Sequence, residues 1–147
     1  MVLSYMKATQ TIASTTIPSY GSAITVFSTP FTKLYGTPEW TVNGSGGLVY
    51  SGSTTGKAIS FCVDMKYTTG TSHDFNVFIF KNANNYPEVT YLFNGPAGGS
   101  NFLGEGAPNT LVCSPGDVFF IGFRKVTGSG GDATTSLVIT VNIASDA

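Results

Sequence analysis

Charge is what this chain has least of. Charged residues make up 10% of its 147 positions, seven Lys and Arg against eight Asp and Glu, with a net charge of −1, where soluble domains usually carry about 25%. The basic residues are scattered, so there is no patch or stripe of the kind that grips a phosphate backbone, and nucleic acid is excluded as a partner. So little charge gives copies of the chain little mutual repulsion, which suits a part of an assembly better than a free monomer. Long apolar runs are missing too. None approaches the ~20 residues of a membrane span, and residues 1–10 lack a basic region followed by an apolar core, so neither membrane anchorage nor an export signal is expected.

Chemistry-bearing residues are equally sparse. There is one histidine and there are two cysteines. His73 stands next to Asp74 in a polar stretch and reads as a solvated turn residue. No Gly-x-Ser-x-Gly nucleophile elbow occurs. Cys62 and Cys113 allow a single bridge, and both are expected to remain thiols in a reducing cytoplasm. Neither they nor His73 have the paired spacing of metal ligands, and Asp132 is isolated among glycines. No two of the eight acids stand out as a hydrolytic pair. The Gly-rich stretches 94–100 and 128–131 lack the Lys-Ser/Thr ending of a phosphate loop. No catalytic residue, metal or cofactor is therefore expected, and the chain is not read as an enzyme.

Helical periodicity is also absent, and what is present is alternation. From Lys57 to Tyr67 the apolar residues Ile59, Phe61, Val63, Met65 and Tyr67 occupy every second position, the signature of a strand with one buried face. The polar turn 68–72 follows, and the chain returns as a second antiparallel strand to Lys81. There Phe75, Val77 and Ile79 share one face and Phe78 and Phe80 the other, so both faces are apolar and the outer one needs a cover. A partner subunit is the expected cover.

Further strands are expected at Ser22–Ser28, Phe31–Tyr35, Glu39–Val42, Leu48–Ser51, Glu88–Phe93, Asn109–Cys113, Asp117–Lys125 and Thr134–Ile143, separated by Pro and Gly turns. The stretch Asn94–Pro108, rich in Gly and Pro, reads as a long surface loop. Residues 1–18, polar and Thr-rich with weak alternation through Thr9, Thr11 and Ala13, read as an arm or edge strand that attaches the subunit to a neighbour or a particle. Residues 19–147 read as one domain. The fold class is all-β, an antiparallel two-sheet sandwich of about 8–10 strands, of jelly-roll or barrel type.

The succession Gly47-Leu48-Val49-Tyr50-Ser51-Gly52, Ile59–Met65, Phe78-Ile79-Phe80-Lys81-Asn82, Leu111 to Ile121 with its Leu-x-x-x-Pro-Gly-Asp turn, and Ser136–Val141 resembles the jelly-roll module of bacteriophage and viral structural proteins. That module is similar to the heads of tumour necrosis factor and of complement-type proteins. Asn82-Ala83-Asn84-Asn85 departs from it, replacing a frequent Asn-Gly. The resemblance implies a tumour-necrosis-factor-like jelly roll, a homotrimer on the surface of a virion, made in the host cytoplasm, bound to a shell or tail protein and serving as decoration, cement or fibre head. It places Phe119, Ile121 and Phe123 in the core, which leaves Phe78, Phe80, Val118 and Phe120 as the expected subunit interface. The alternative expectation is a lectin-like module that meets host-surface glycan or a receptor through Trp40, Tyr86 and Phe102.

Overall fold

The computed structural model describes residues 3–13, 15–17, 24–67, 73–82, 87, 89–95, 100–104, 111–125, 132–134 and 137–146. Among them there is no helix, and the strands in chain order are β1 (Leu3–Ile12), β2 (Thr15–Ile17), β3 (Thr25–Val26), β4 (Thr32–Gly36), β5 (Trp40–Val42), β6 (Leu48–Tyr50), β7 (Lys57–Tyr67), β8 (His73–Lys81), β9 (Val89–Gly95), β10 (Ser100–Gly104), β11 (Leu111–Cys113), β12 (Val118–Lys125), β13 (Asp132–Thr134) and β14 (Leu137–Asp146).

They form two antiparallel sheets. The first runs β10-β7-β14-β1-β4 and the second β5-β6-β12-β8-β9, while β2 and β13 pair apart from both. Each sheet has five positions. The surplus over the expected 8–10 strands arises because one side of β7 is shared by β10 and β11 and one side of β12 by β6 and β3. The expected two-sheet sandwich is what is observed. Period-two alternation sends Ile59, Phe61 and Val63 of β7 inward against Phe119, Ile121 and Phe123 of β12. The rings of Phe61 and Phe119 meet at 5.3 Å across the two layers, and Phe27, just after β3, packs on Phe123 of the same sheet at 5.7 Å.

Three expectations are corrected. The long alternating strand and its return do not form a hairpin: β7 pairs with β14, β10 and β11, and β8 with β12 and β9. The connection crosses from one sheet to the other, so the inner face of β8 looks across the core at β7. The Gly-rich stretch is not one loop, since Asn94 and Gly95 end β9 and 100–104 form β10, with Phe102 opposite Met65. His73 opens β8 opposite Gly95 instead of lying in a turn.

The largest correction concerns residues 1–18. Over Leu3–Ile12 the segment is neither arm nor edge but an inner strand, with β14 on one side and β4 on the other. Its buried face is the even one, Ser4, Met6, Ala8 and Gln10, where two of the four are polar. Gln10 is buried because its Nε2 donates to the carbonyls of Phe27 and Thr29. Ser4 Oγ lies 3.2 Å from Thr37 Oγ1 and donates to Glu39 Oε2 at 3.5 Å. Buried polar groups are tolerated only when paired in this way.

Candidate functional site

The outer face of the second sheet carries the residues expected to form the subunit interface. Phe80 stands opposite Phe120 and Phe78 opposite Gly122. In the single chain Phe78 is 4% and Phe80 8% exposed, and Val118 and Phe120 are half-buried. Gly122 allows this. A Cβ at 122 would lie 2.7 Å from Ile24 Cγ2, 2.9 Å from Phe80 Cε2 and 3.2 Å from Val26 Cγ2, so these side chains close over the bare backbone of β12. The Phe78 and Phe80 rings are 6.3 Å apart, and the Arg124 guanidinium lies 5.4 Å from the Phe78 centroid. The face expected to need a partner is thus largely covered by the chain itself.

The first sheet presents the opposite picture. Its outer face is built mostly of small polar residues and alanines, Thr9 and Thr11 on β1, Thr140, Asn142 and Ala144 on β14, Ala58 and Ser60 on β7, with Cys62 and Asp64 of β7 half-buried among them. Large apolar side chains stand at its β4 edge. Tyr5 is 38%, Leu34 52% and Tyr35 54% exposed. The local cause is a bulge: Lys7 pairs with Tyr35 and Ala8 with Lys33, which leaves Leu34 as an extra residue and turns two consecutive side chains to solvent. Gly36, at φ +147°, brings β4 so close to β1 that a Cβ there would strike the Tyr5 and Met6 backbone. Thr37 then pins the corner, its N–H donating to Tyr5 O at 2.8 Å and its Oγ1 accepting from Tyr5 N at 3.1 Å. The Lys33 ammonium closes the turn by donating to Thr37 O at 2.7 Å and Trp40 O at 2.8 Å. Tyr5 and Tyr35 stand 6.4 Å apart, with Lys7 Nζ 5.8 Å from the Tyr35 centroid. Sequence reasoning missed this rim. The signal was the adjacent apolar pair Leu34-Tyr35, which breaks period-two alternation.

The Pro-Gly-Asp turn is a polar hub. Asp117 accepts from Asn82 Nδ2 and from Ser114 N, both at 2.9 Å, and pairs with Lys81 at 3.5 Å. Asn82, at φ +56°, returns two bonds, its N donating to Val118 O and its Oδ1 accepting from Val118 N. Burial pushes the Asp117 carboxyl up, but the Asn82 amide, the Ser114 N–H and Lys81 outweigh it and hold the group below the usual aspartate value. Asn82 thus serves the turn, while the departure that begins at Ala83 lies outside the described residues. Glu39 is also held low, first by the Thr37 hydroxyl.

Trp40, a glycan contact only in the alternative reading, is fully buried, 5.3 Å from the Tyr50 ring and 6.1 Å from that of Phe119. It is a core residue. Tyr86 lies outside the described residues, as does the side chain of Phe102. Cys62, half-buried on the outer face of the first sheet, and Cys113, buried opposite Lys57, are not joined to each other. Burial pushes the Cys113 thiol up to about 11, with Lys57 partly offsetting it, which leaves it a poor nucleophile. Among the described residues, no three of His, Cys, Asp and Glu converge as a metal site would require.

No family model matches the sequence, and no curated protein does. Solved structures do match in shape. The PRD1 vertex protein P5 superposes with a TM-score of 0.59 at 14% identity, over 98% of this chain and 97% of that one. The fold is a tumour-necrosis-factor-like jelly roll. The globular domain of zebrafish complement 1qA protein follows with a TM-score of 0.55 at 12% identity, over 97% and 96% of the two chains. Murine APRIL gives 0.51 at 7%, over 95% and 98%. At these identities the likeness establishes the jelly roll alone.

Proposed function

We propose that the chain is a structural subunit of a virus or phage particle, a homotrimer on the virion surface that caps or cements a shell or vertex. The observation that carries this reading is the end-to-end likeness of the jelly roll to a vertex protein, 98% of this chain against 97% of that one. The composition supports it, since a net charge of −1 on 147 residues leaves copies free to associate. A glycan-binding role through Trp40 is not favoured, because that indole is sealed in the core.

The reading is tested by sedimentation of the isolated protein at micromolar concentration and by its removal from intact particles. Three times the monomer mass, co-sedimentation with particles and loss of particle stability on removal are the expected results. A monomer that leaves particles unaffected would overturn the proposal.

A further inference from the structure

The chain contains two Asn-Gly pairs, Asn43-Gly44 and Asn94-Gly95, and the fold treats them oppositely. Asn94 and Gly95 end β9 in the ladder, opposite Asp74 and His73 of β8. Asn43 follows β5 and opens the turn into β6. Its N–H donates to Gly47 O at 3.0 Å, while its Oδ1 accepts from Ser45 N at 2.9 Å and from Gly47 N at 2.8 Å. The side chain is thus folded back along the main chain in an Asx turn, which brings Cγ round towards the nitrogen of Gly44. Gly44 is exposed, and a Cβ placed on it would meet no atom within 4 Å. Among the described residues neither Gly44 N–H nor Asn43 Nδ2 donates a hydrogen bond.

We infer that Asn43 is a site of spontaneous covalent rearrangement, in which Gly44 N attacks Asn43 Cγ. The Cγ–N bond forms as the Gly44 N–H proton passes to water or hydroxide, negative charge develops on Oδ1, and Nδ2 leaves as ammonia to give a cyclic imide. Water then adds to one of the two imide carbonyls and opens the ring. The product is aspartate or isoaspartate, and in the latter the main chain runs through the former side chain. The turn favours the first step in three ways. Ser45 N–H and Gly47 N–H point at the oxygen on which the charge develops, as preorganised donors do when they lower the barrier to attack on a carbonyl. Nucleophile and electrophile are held in one turn, so little orientational freedom is left to lose. The nucleophile is neither bonded nor crowded, and the departing nitrogen is not anchored. At Asn94 ring closure would have to turn a backbone that is paired with β8 at both residues. The product alters the fold locally. Isoaspartate lengthens the main chain at residue 43 and removes the acceptor from Ser45 N and Gly47 N, which loosens the β5–β6 pair that sets Trp40 opposite Tyr50.

The experiment is incubation of the folded protein in mildly alkaline buffer, beside the same protein unfolded in urea, followed by peptide mapping by mass spectrometry with isoaspartate and aspartate products separated by chromatography. In the folded protein the amide-to-acid mass change is expected at Asn43, with both products, and severalfold more slowly at Asn94. Unfolding should bring the two sites to similar rates. Gly44→Ala is the control, because its Cβ meets nothing in the fold yet stands beside the attacking nitrogen. That variant is expected to keep the wild-type dichroism, to lose modification at residue 43 severalfold, and to hold its melting temperature on incubation while that of the wild type falls. Equal rates at the two sites in the folded protein, or an Asn43 that stays intact, would overturn the inference. An undiminished rate in Gly44→Ala would overturn attack by Gly44 N.

Discussion

The two outer faces of this sandwich differ in a way that composition alone misrepresents. The second sheet carries phenylalanines on its outer surface and hides them, with Phe78 4% and Phe80 8% exposed. The first sheet has Thr, Ser, Asn and Ala over much of its outer face, yet it turns Tyr5, Leu34 and Tyr35 to solvent at its β4 edge and Val112 at the opposite one. The difference lies in one residue on each side. Gly122 removes a side chain so that Phe80, Ile24 and Val26 can close in, whereas the extra residue at Leu34 adds one and turns its neighbour out. An apolar face is a binding face only when its own chain has not already covered it.

Four substitutions sharpen or break that contrast, taken in order of expected cost. Phe80→Ala should lower unfolding free energy by about 3 to 5 kcal/mol, as for any buried aromatic emptied to a cavity, while the sedimenting mass of whatever remains folded is unchanged. Denaturant titration and sedimentation read the two effects. A folded variant that loses its trimer at little stability cost would restore Phe80 to the interface.

Asp117→Asn should cost about 1.5 to 3 kcal/mol near neutral pH, the scale of hydrogen bonds to a charged group, because the turn that aligns β12 with the exit of β8 loses its anion. The carboxyl is held below its ordinary value, so its stabilising effect is present above the ordinary aspartate pKa of ~3.9 and fades as pH falls through the lowered one. The wild-type melting temperature should therefore drop in that acid range, and the variant's should drop less. Parallel curves would show that Asp117 is not the group responsible. Gly122→Val should cost about 1 to 3 kcal/mol by overpacking, read as a lower denaturation midpoint. A neutral result would mean that Ile24, Val26 and Phe80 do not crowd that backbone. Tyr35→Ser, on an exposed side chain, should change monomer stability by less than about 0.5 kcal/mol, measured at a concentration where the protein is dissociated. A large loss there would mean that the rim is part of the fold.

Much of the core could be read from the sequence because its signal is local. The alternation in 57–67 placed Ile59, Phe61 and Val63 inward, while the side of β12 that faces the core, with Phe119, Ile121 and Phe123, followed from the jelly-roll resemblance and not from its own doubly apolar pattern. Strand partnership is not local. Nothing in 57–81 states that β7 pairs with residues 137–145 rather than with the strand that follows it. The inner strand β1 was hidden for a related reason. Its buried face holds Ser4 and Gln10, whose partners Thr37, Glu39, Phe27 and Thr29 lie 17 to 35 residues away, so the segment looks like a polar arm until those contacts exist. The rim escaped notice because two adjacent apolar residues read as poor alternation, when they mark a bulge.

The account is tested most directly by hydroxyl-radical footprinting of the protein when assembled and when dissociated by dilution. Tyr5, Leu34 and Tyr35 should be oxidised in the dissociated chain, while Phe78 and Phe80 are protected in both states. Oxidation of Phe78 and Phe80 in the dissociated chain, followed by their protection on assembly, would contradict it.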